Sequence, residues 1–328
     1  MAIESKTLSV FKQIVGGIEY MFPAFKFQSA EFAKNMLEDG QVYLARISDF
    51  RDPDKHGGAI LDNKEGQVSL INTIKPSQCT GGYTFDGMDL YPDRVDISVD
   101  NAYVFCCTKY FLSDSLTWAM NEETPKECCV LITDVEEYIK RISEAHKDIL
   151  SFDAALECQY IGREIEVKSQ IPYAFTQRFI SNPKLAGFVK PDSGNYKAQR
   201  ELRLMWSPIS GQDLGKGLAK NIDVTDLLIP VHFEGFDKNF SSLSSNSVGA
   251  SIITKDGSPS PTYRLTTPAQ VLTPVIHGDQ LGFMNTNNKL IGSVVRNANV
   301  GFQAGGNTPP IICNVALENV ERIDIVSA

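Results

Sequence analysis

The chain has 328 residues, enough for one large domain or two ordinary ones. A hydrophobic fraction of 42% and a charged fraction of 22% are globular values. The net charge of −9 argues against a general phosphate-backbone binder, whose affinity rests on clustered Lys and Arg, and leaves room only for a local basic patch.

In chain order, residues 1–20 mix apolar and polar types and read as a short lead-in helix. Tyr20–Phe27 reads as a strand broken by Pro23. Ser29 then caps a helix whose face carries Phe32, Ala33, Met36 and Leu37, ending at Gly40. A strand over 41–47 follows, then a turn, Ser48-Asp49-Phe50-Arg51-Asp52-Pro53. Between 54 and 100 only Val68–Ile74 reads as a strand, the remainder as loop. Residues 102–108 and 128–132 form apolar runs expected to be buried on both faces. Lys109–Leu116 reads as loop and Thr117-Trp118-Ala119-Met120 as a turn or short helix.

The clearest helical pattern spans 134–150. Thr133 with Glu136 predicts a capping box, and Val135, Tyr138, Ile139, Ile142, Ala145 and Ile149 recur at helical spacing. Strands are expected near Leu156–Ile161 and Glu164–Ile171, a helix near Ala174–Phe179, and a strand at Leu227–Phe233. Residues 237–262, rich in Ser, Gly and Pro, read as a loop or linker. Tyr263–Ala328 reads as further strands interrupted by a Gly/Pro-rich loop at 301–310. The order of elements defines an α+β chain rather than an alternating β/α one. No GxGxxG or GxxxxGK[ST] motif is present.

The seven cysteines include two adjacent pairs, Cys106-Cys107 and Cys128-Cys129. No Cys-x-x-Cys or His-x-x-x-His spacing occurs, so no zinc or other metal site is expected. Reduced thiols, an N-terminus without a signal-like apolar run and the lack of any apolar stretch of about 18 residues lead to the expectation of a cytoplasmic protein with no membrane partner. His56, His146, His232 and His277 are scattered, none in a nucleophile motif, and His146 is expected on the surface of the long helix.

One stretch carries chemistry. In Tyr196-Lys197-Ala198-Gln199-Arg200-Glu201-Leu202-Arg203-Leu204-Met205-Trp206, Leu202, Leu204 and Trp206 alternate with Glu201, Arg203 and Met205. A strand with that pattern sets Gln199, Glu201 and Arg203 in one row. A carboxylate so placed can hydrogen-bond a ribose hydroxyl and stabilise an oxocarbenium-like transition state. The bland reading is a surface strand with weak salt bridges. Lys184, Lys190, Lys197, Arg200 and Arg203, interleaved with Phe188, Tyr196 and Trp206, also make a local basic strip of the kind that admits RNA.

The order of Phe25-Lys26-Phe27, Leu37-Glu38-Asp39-Gly40, Phe50-Arg51-Asp52-Pro53, Thr108, Thr117-Trp118, Phe188-Val189-Lys190-Pro191 and Gln199-Arg200-Glu201-Leu202-Arg203 resembles an uncharacterised bacterial family. That family is similar to the ADP-ribosyltransferase superfamily, including abortive-infection and anti-phage toxin members. The resemblance covers roughly residues 20–206. It implies split β-sheets with flanking helices and an NAD cleft between them, in a catalytic domain over 1–236. A loop at 237–262 and a β-rich extension at 263–328 follow it, with packing of the extension on the same domain left open. It implies Lys26 as the first-strand polar residue, Thr108 as the second-strand hydroxyl, Glu201 as the catalytic glutamate and Gln199 as the residue orienting the acceptor. Lys26 and Arg51 are then placed near the NAD phosphates, with Tyr43 or Trp118 under the nicotinamide and Arg203 in the cofactor site. NAD is the substrate, RNA or protein the acceptor, and a partner antitoxin that covers the cleft is expected. Lys26 departs from the usual His or Arg, and Arg51 from the usual Asn. A fold member without activity, acting as a binding or structural protein, is the alternative.

Overall fold

The computed structural model describes residues 11–15, 18–54, 61–72, 94–109, 128–167, 179, 181–192, 196–197, 199–211, 213–234, 248–257, 262–265, 272–285, 293–294 and 312–327. In chain order the first strands are β1 (Lys12–Val15), β2 (Ile18–Met21) and β3 (Ala24–Gln28), then helix α1 (Ala30–Asp39). β4 (Gln41–Arg46), β5 (Gln67–Asn72), β6 (Arg94–Ser98), β7 (Tyr103–Thr108) and β8 (Cys128–Ile132) lead to helix α2 (Val135–Ala145). After it come β9 (Leu150–Glu157), β10 (Gln159–Tyr160), β11 (Glu164–Val167), β12 (Val189–Lys190), β13 (Glu201–Pro208), β14 (Leu218–Asn221) and β15 (Leu228–Glu234). The chain closes with β16 (Val248–Thr254), β17 (Thr262–Leu265), β18 (Leu272–His277), β19 (Gln280–Asn285), β20 (Ser293–Val294), β21 (Ile312–Ala316) and β22 (Val320–Ser327).

Among the described residues this is a mixed α+β protein, mostly strands in several sheets with few helices. The largest sheet has 12 strands, with β14-β4-β7-β3-β8-β15-β22-β16-β17-β20 along one path and β13 pairing both β7 and β9. A three-stranded sheet, β11-β5-β6, a two-stranded one, β10-β12, and a five-stranded one, β1-β2-β18-β19-β21, complete the set. Most ladders are antiparallel; β15–β22, β5–β11 and β10–β12 are parallel.

The large sheet buries both faces. On one, Leu44, Tyr103, Phe105, Cys107, Leu202, Leu204 and Trp206 pack against Ala33 and Met36 of α1 and Val135, Tyr138, Ile139 and Ile142 of α2. On the other, Val104 and Met205 join Val68, Leu70 and Ile97 of the small sheet, with Ala186 and Phe188 from the 3-10 turn Pro183–Phe188. This second, smaller core surrounds the charged side chains described below.

Several elements differ from the sequence reading. The lead-in is two strands, β1 and β2, from residue 12 onward, because Ile14 and Ile18 find partners in an antiparallel pair. Phe32 is 54% exposed, since the buried stripe of α1 runs through Ala33 and Met36. Ser29 takes the N-cap position with extended backbone but makes no side-chain cap bond, and Gly40 closes α1 in the left-handed region at φ 62°. α2 ends at Ala145, and its cap is Asp134, which accepts from Glu137 N at 2.9 Å. Thr133 instead donates to Leu227 O, tying β8 to the start of β15. His146 is buried, with Nδ1 3.0 Å from Ile142 O, because β9 turns back over the helix end at once. β6 was hidden in a segment read as loop, since Arg94, Asp96 and Ser98 face outward with only Ile97 buried. β16 lies inside the segment read as a linker; its Ala250 and Ile252 are buried against β22. Residues 262–265, 272–285 and 312–327 carry strands as expected, and they are woven into earlier ones. β22 lies between β15 and β16 in the large sheet, and β18 meets β2 through Ile276 and Met21. The expected helix at 174–179 and the turn containing Trp118 lie outside the described residues, apart from Phe179.

β7 organises the site. One edge pairs along its whole length with β13, from Tyr103↔Trp206 to Thr108↔Glu201. The other edge is shared: β4 takes Val104 and Tyr103, while β3 takes Thr108 through Phe25. Between them the ladder is interrupted, and Lys26 Nζ donates to the Cys106 carbonyl there at 2.8 Å.

Candidate functional site

Strand periodicity puts Glu201, Arg203 and Met205 on the face opposite Leu202, Leu204 and Trp206. Two charges thereby enter the smaller core, and burial on that scale demands partners. They come from two other segments. Glu65 sits in the turn before β5, where Gly66 takes φ 70° and its N–H donates to Glu65 Oε1 at 3.2 Å. A side chain at Gly66 would be strained at that φ, and its Cβ would lie 2.7 Å from Val99 O. Lys190 ends β12, which follows the 3-10 turn at Pro183–Phe188.

The four charges interlock. Arg203 Nε donates to Glu201 Oε1, and Arg203 Nη1 to Glu65 Oε1 at 2.7 Å and to the Gly187 carbonyl. Lys190 Nζ lies 2.8 Å from Glu201 Oε2, 3.0 Å from Gln199 Oε1 and 3.8 Å from Glu65 Oε2. Glu65 and Arg203 are fully buried, Lys190 is 3% and Glu201 6% exposed. The rings of Tyr196 and Phe50 flank the cations, 5.4 Å from Lys190 Nζ and 6.0 Å from the Arg203 guanidinium carbon. Two carboxylates and two cations cancel in net charge. Burial alone would push the Glu201 carboxyl upward, but Arg203 and Lys190 outweigh it and hold it well below the usual carboxylate range. Glu65 is lowered for the same reasons. Lys190 and Arg203 are both raised, the two carboxylates overcoming the burial that disfavours their charge. Burial, with Glu201 beside it, pushes the Cys106 thiol up to about 12, so it stays protonated and donates to Glu201.

The backbone around Glu201 is held from three sides. Its N–H donates to Tyr160 Oη at 2.7 Å and its carbonyl accepts from Cys158 N at 2.8 Å. Thr108 Oγ1 donates to Arg200 O at 3.0 Å. Arg200 has φ 42°, the one positive φ on a non-glycine residue among the described residues. Holding a long side chain in the left-handed region costs on the order of 1–2 kcal/mol and is tolerated where the surroundings over-determine it.

Glu201, Gln199, Arg203 and Thr108 thus meet, as their spacing and register allow. Lys26 lies one ladder step away, its amine on Cys106 O and 4.6 Å from the Phe105 ring centroid. Arg51 reaches the cluster from behind. Its Nε donates to Glu65 O at 2.7 Å, Nη1 pairs with Asp100 and Nη2 lies 3.5 Å from Val99 O, so it clamps the turn that carries Glu65. Tyr43 stands apart, 48% exposed on β4 beside Gly217, across β7 from β13. Trp118 lies outside the described residues. The basic strip is not a continuous surface: Lys190, Arg203, Phe188 and Trp206 are buried, Lys184 pairs with Asp153 and Lys197 with Asp192.

Glu65 escaped the sequence reading, and Lys190 entered it only as part of a basic approach. Glu65 is 138 positions from its partner Arg203, within a charged, Gly-flanked segment that looks like solvent loop. The one available signal was indirect: an arginine and a glutamate inside an otherwise apolar strand imply hidden counter-charges.

No family model, curated protein or solved structure matches this chain significantly.

Proposed function

We propose that the protein is an NAD-dependent mono-ADP-ribosyltransferase acting on a macromolecular acceptor, RNA or protein, as a bacterial toxin or phage-defence effector. One observation carries the reading: Lys26, Thr108 and Glu201, far apart in sequence, converge where β3 and β4 part along β7. A split of that kind is what an ADP-ribosyltransferase-like fold uses to open a nucleotide cleft. The ionised state of Glu201 and the strained Arg200 before it agree with a functional carboxylate.

In this reading Glu201 accepts a hydrogen bond from a hydroxyl of the nicotinamide ribose. The bond from the anomeric carbon to nicotinamide breaks with its electron pair leaving on the nicotinamide nitrogen, which neutralises that ring. The oxocarbenium-like ribose is stabilised by the Glu201 charge. A nucleophile of the acceptor, oriented by Gln199, closes on the same carbon and loses its proton. Lys26, on β3 beside the interrupted part of the β7 ladder, faces the phosphates electrostatically, whereas Arg51 is engaged by Glu65 O and Asp100 and serves by holding the Glu65 turn.

A second reading rests on a specific observation of its own. The four charges pair with one another in a nearly closed core, and Glu201 is only 6% exposed. Such a cluster also serves as the keystone of a catalytically inert binding or structural protein.

Nicotinamide release from NAD separates the two. The purified chain is compared with Glu201→Gln, first alone, then with cellular RNA, then with lysate protein. The transferase reading expects release that falls by about 100-fold or more in the variant. The addition that accelerates wild-type release identifies the acceptor class. No release from a folded wild-type sample establishes the inert reading.

A further inference from the structure

Lys190 lies among three acceptors and holds them unequally. Its amine is at hydrogen-bond distance from Glu201 Oε2 and Gln199 Oε1, at 2.8 and 3.0 Å. Glu65 Oε2 is 3.8 Å away, beyond a hydrogen bond, and has no hydrogen-bond partner among the described residues although Glu65 is completely buried. The other Glu65 oxygen is held by Arg203 and the Gly66 N–H, and Arg51 fixes the Glu65 backbone, so the open oxygen does not wander. A buried carboxylate oxygen left without a donor is costly, and a second state that uses it accounts for its retention. At rest, meanwhile, Lys190 occupies the Glu201 oxygen that a ribose hydroxyl would need.

We propose that Lys190 is a two-position counter-ion: it closes Glu201 at rest and, when a ligand hydroxyl takes Glu201 Oε2, moves about 1 Å to the waiting oxygen of Glu65. The inference rests on the reading of Glu201 as the ribose-binding carboxylate. It makes Glu65 a positioning residue that acts through Lys190. The displacement keeps both charges paired throughout, so the core never holds an isolated ion. The same movement lengthens the Lys190 bond to Gln199 Oε1, which ties exposure of the carboxylate to the residue assigned to the acceptor. No bond is made or broken.

The test uses steady-state nicotinamide release by the full chain, with NAD as the probe. In Glu65→Gln the second position is lost, and KM for NAD should rise about tenfold or more while the folded fraction is monitored by thermal melting. In Glu65→Gln/Lys190→Met the cluster is again neutral, with Glu201 and Arg203 alone, and no lysine has to move. Its KM should fall below the wild-type value, because the resting lock on Glu201 is gone. A purely structural Glu65 moves the melting midpoint of both variants and leaves KM where it was, which overturns the switch. If the single variant does not fold, the neutral double variant decides: a KM at or above the wild-type value refutes the proposal. A wild-type chain that neither binds nor cleaves NAD removes the functional reading and the switch together. Cleavage by wild type with an unchanged KM in Glu65→Gln removes the switch alone.

Discussion

The two faces of β13 solve opposite problems with adjacent residues. Leu202, Leu204 and Trp206 meet the helices in a hydrocarbon core whose cohesion is non-directional. Glu201 and Arg203, one residue out of phase, enter a second core and survive there only because Glu65 and Lys190 meet them with defined geometry. The apolar face tolerates small rearrangement, whereas the charged face depends on every partner. A buried ion cluster is a weak source of net stability, but the loss of one member is severe.

Arg203→Met gives the largest expected effect. It strands two carboxylates on Lys190 alone and should lower unfolding stability by about 5 kcal/mol, the upper end for breaking a buried pair. Urea denaturation at neutral pH measures it. Acidification should narrow the gap to wild type, because the stranded carboxylates can then take up protons. A loss independent of pH would show that Arg203 acts by packing and not by charge.

Trp206→Ala probes the other face. The indole is fully buried, its edge meets Phe152 at a centroid distance of 5.3 Å and its N–H donates to Ser143 Oγ. Truncation should cost about 3–5 kcal/mol. This loss should be insensitive to pH, and a pH-dependent loss would mean that the two faces are coupled through the strand.

Glu201→Gln sharpens the comparison with the smallest change. Glu201 sits below its unfolded-chain value of about 4.3, so the unfolded state binds more protons in that range. The stability that Glu201 contributes is complete above that value and is lost as pH falls below it. The variant should be less stable than wild type near neutrality by about 1–3 kcal/mol, and the gap between the two urea midpoints should begin to shrink as pH falls below about 4 and keep shrinking with further acidification. Parallel curves would contradict the depressed carboxyl.

The fold was legible wherever burial follows a simple period. β7, β8 and β13 declare themselves as apolar or alternating runs, and α2 as a 3.6-residue stripe. β6 and β16 did not, because an edge-like strand with one or two buried side chains carries little pattern. His146 was misplaced because periodicity extended α2 past Ala145, whereas β9 covers the helix end. Within the site, Gln199, Glu201 and Arg203 could be grouped from their spacing alone. Lys190 looked like surface charge, and nothing in the turn around Glu65 pointed inward.

The sequence by itself determined that Glu201 and Arg203 share one face of a strand, since side-chain direction in a strand depends only on parity. Only the tertiary structure decided what they meet there. Glu65 reaches Arg203 across 138 positions of chain and Lys190 reaches Glu201 across 11, through a turn clamped by Arg51 and a short strand beside β10. Pairings of that kind arise from the global packing of the sheets, because a buried charge draws its partner from whichever segment the fold brings close.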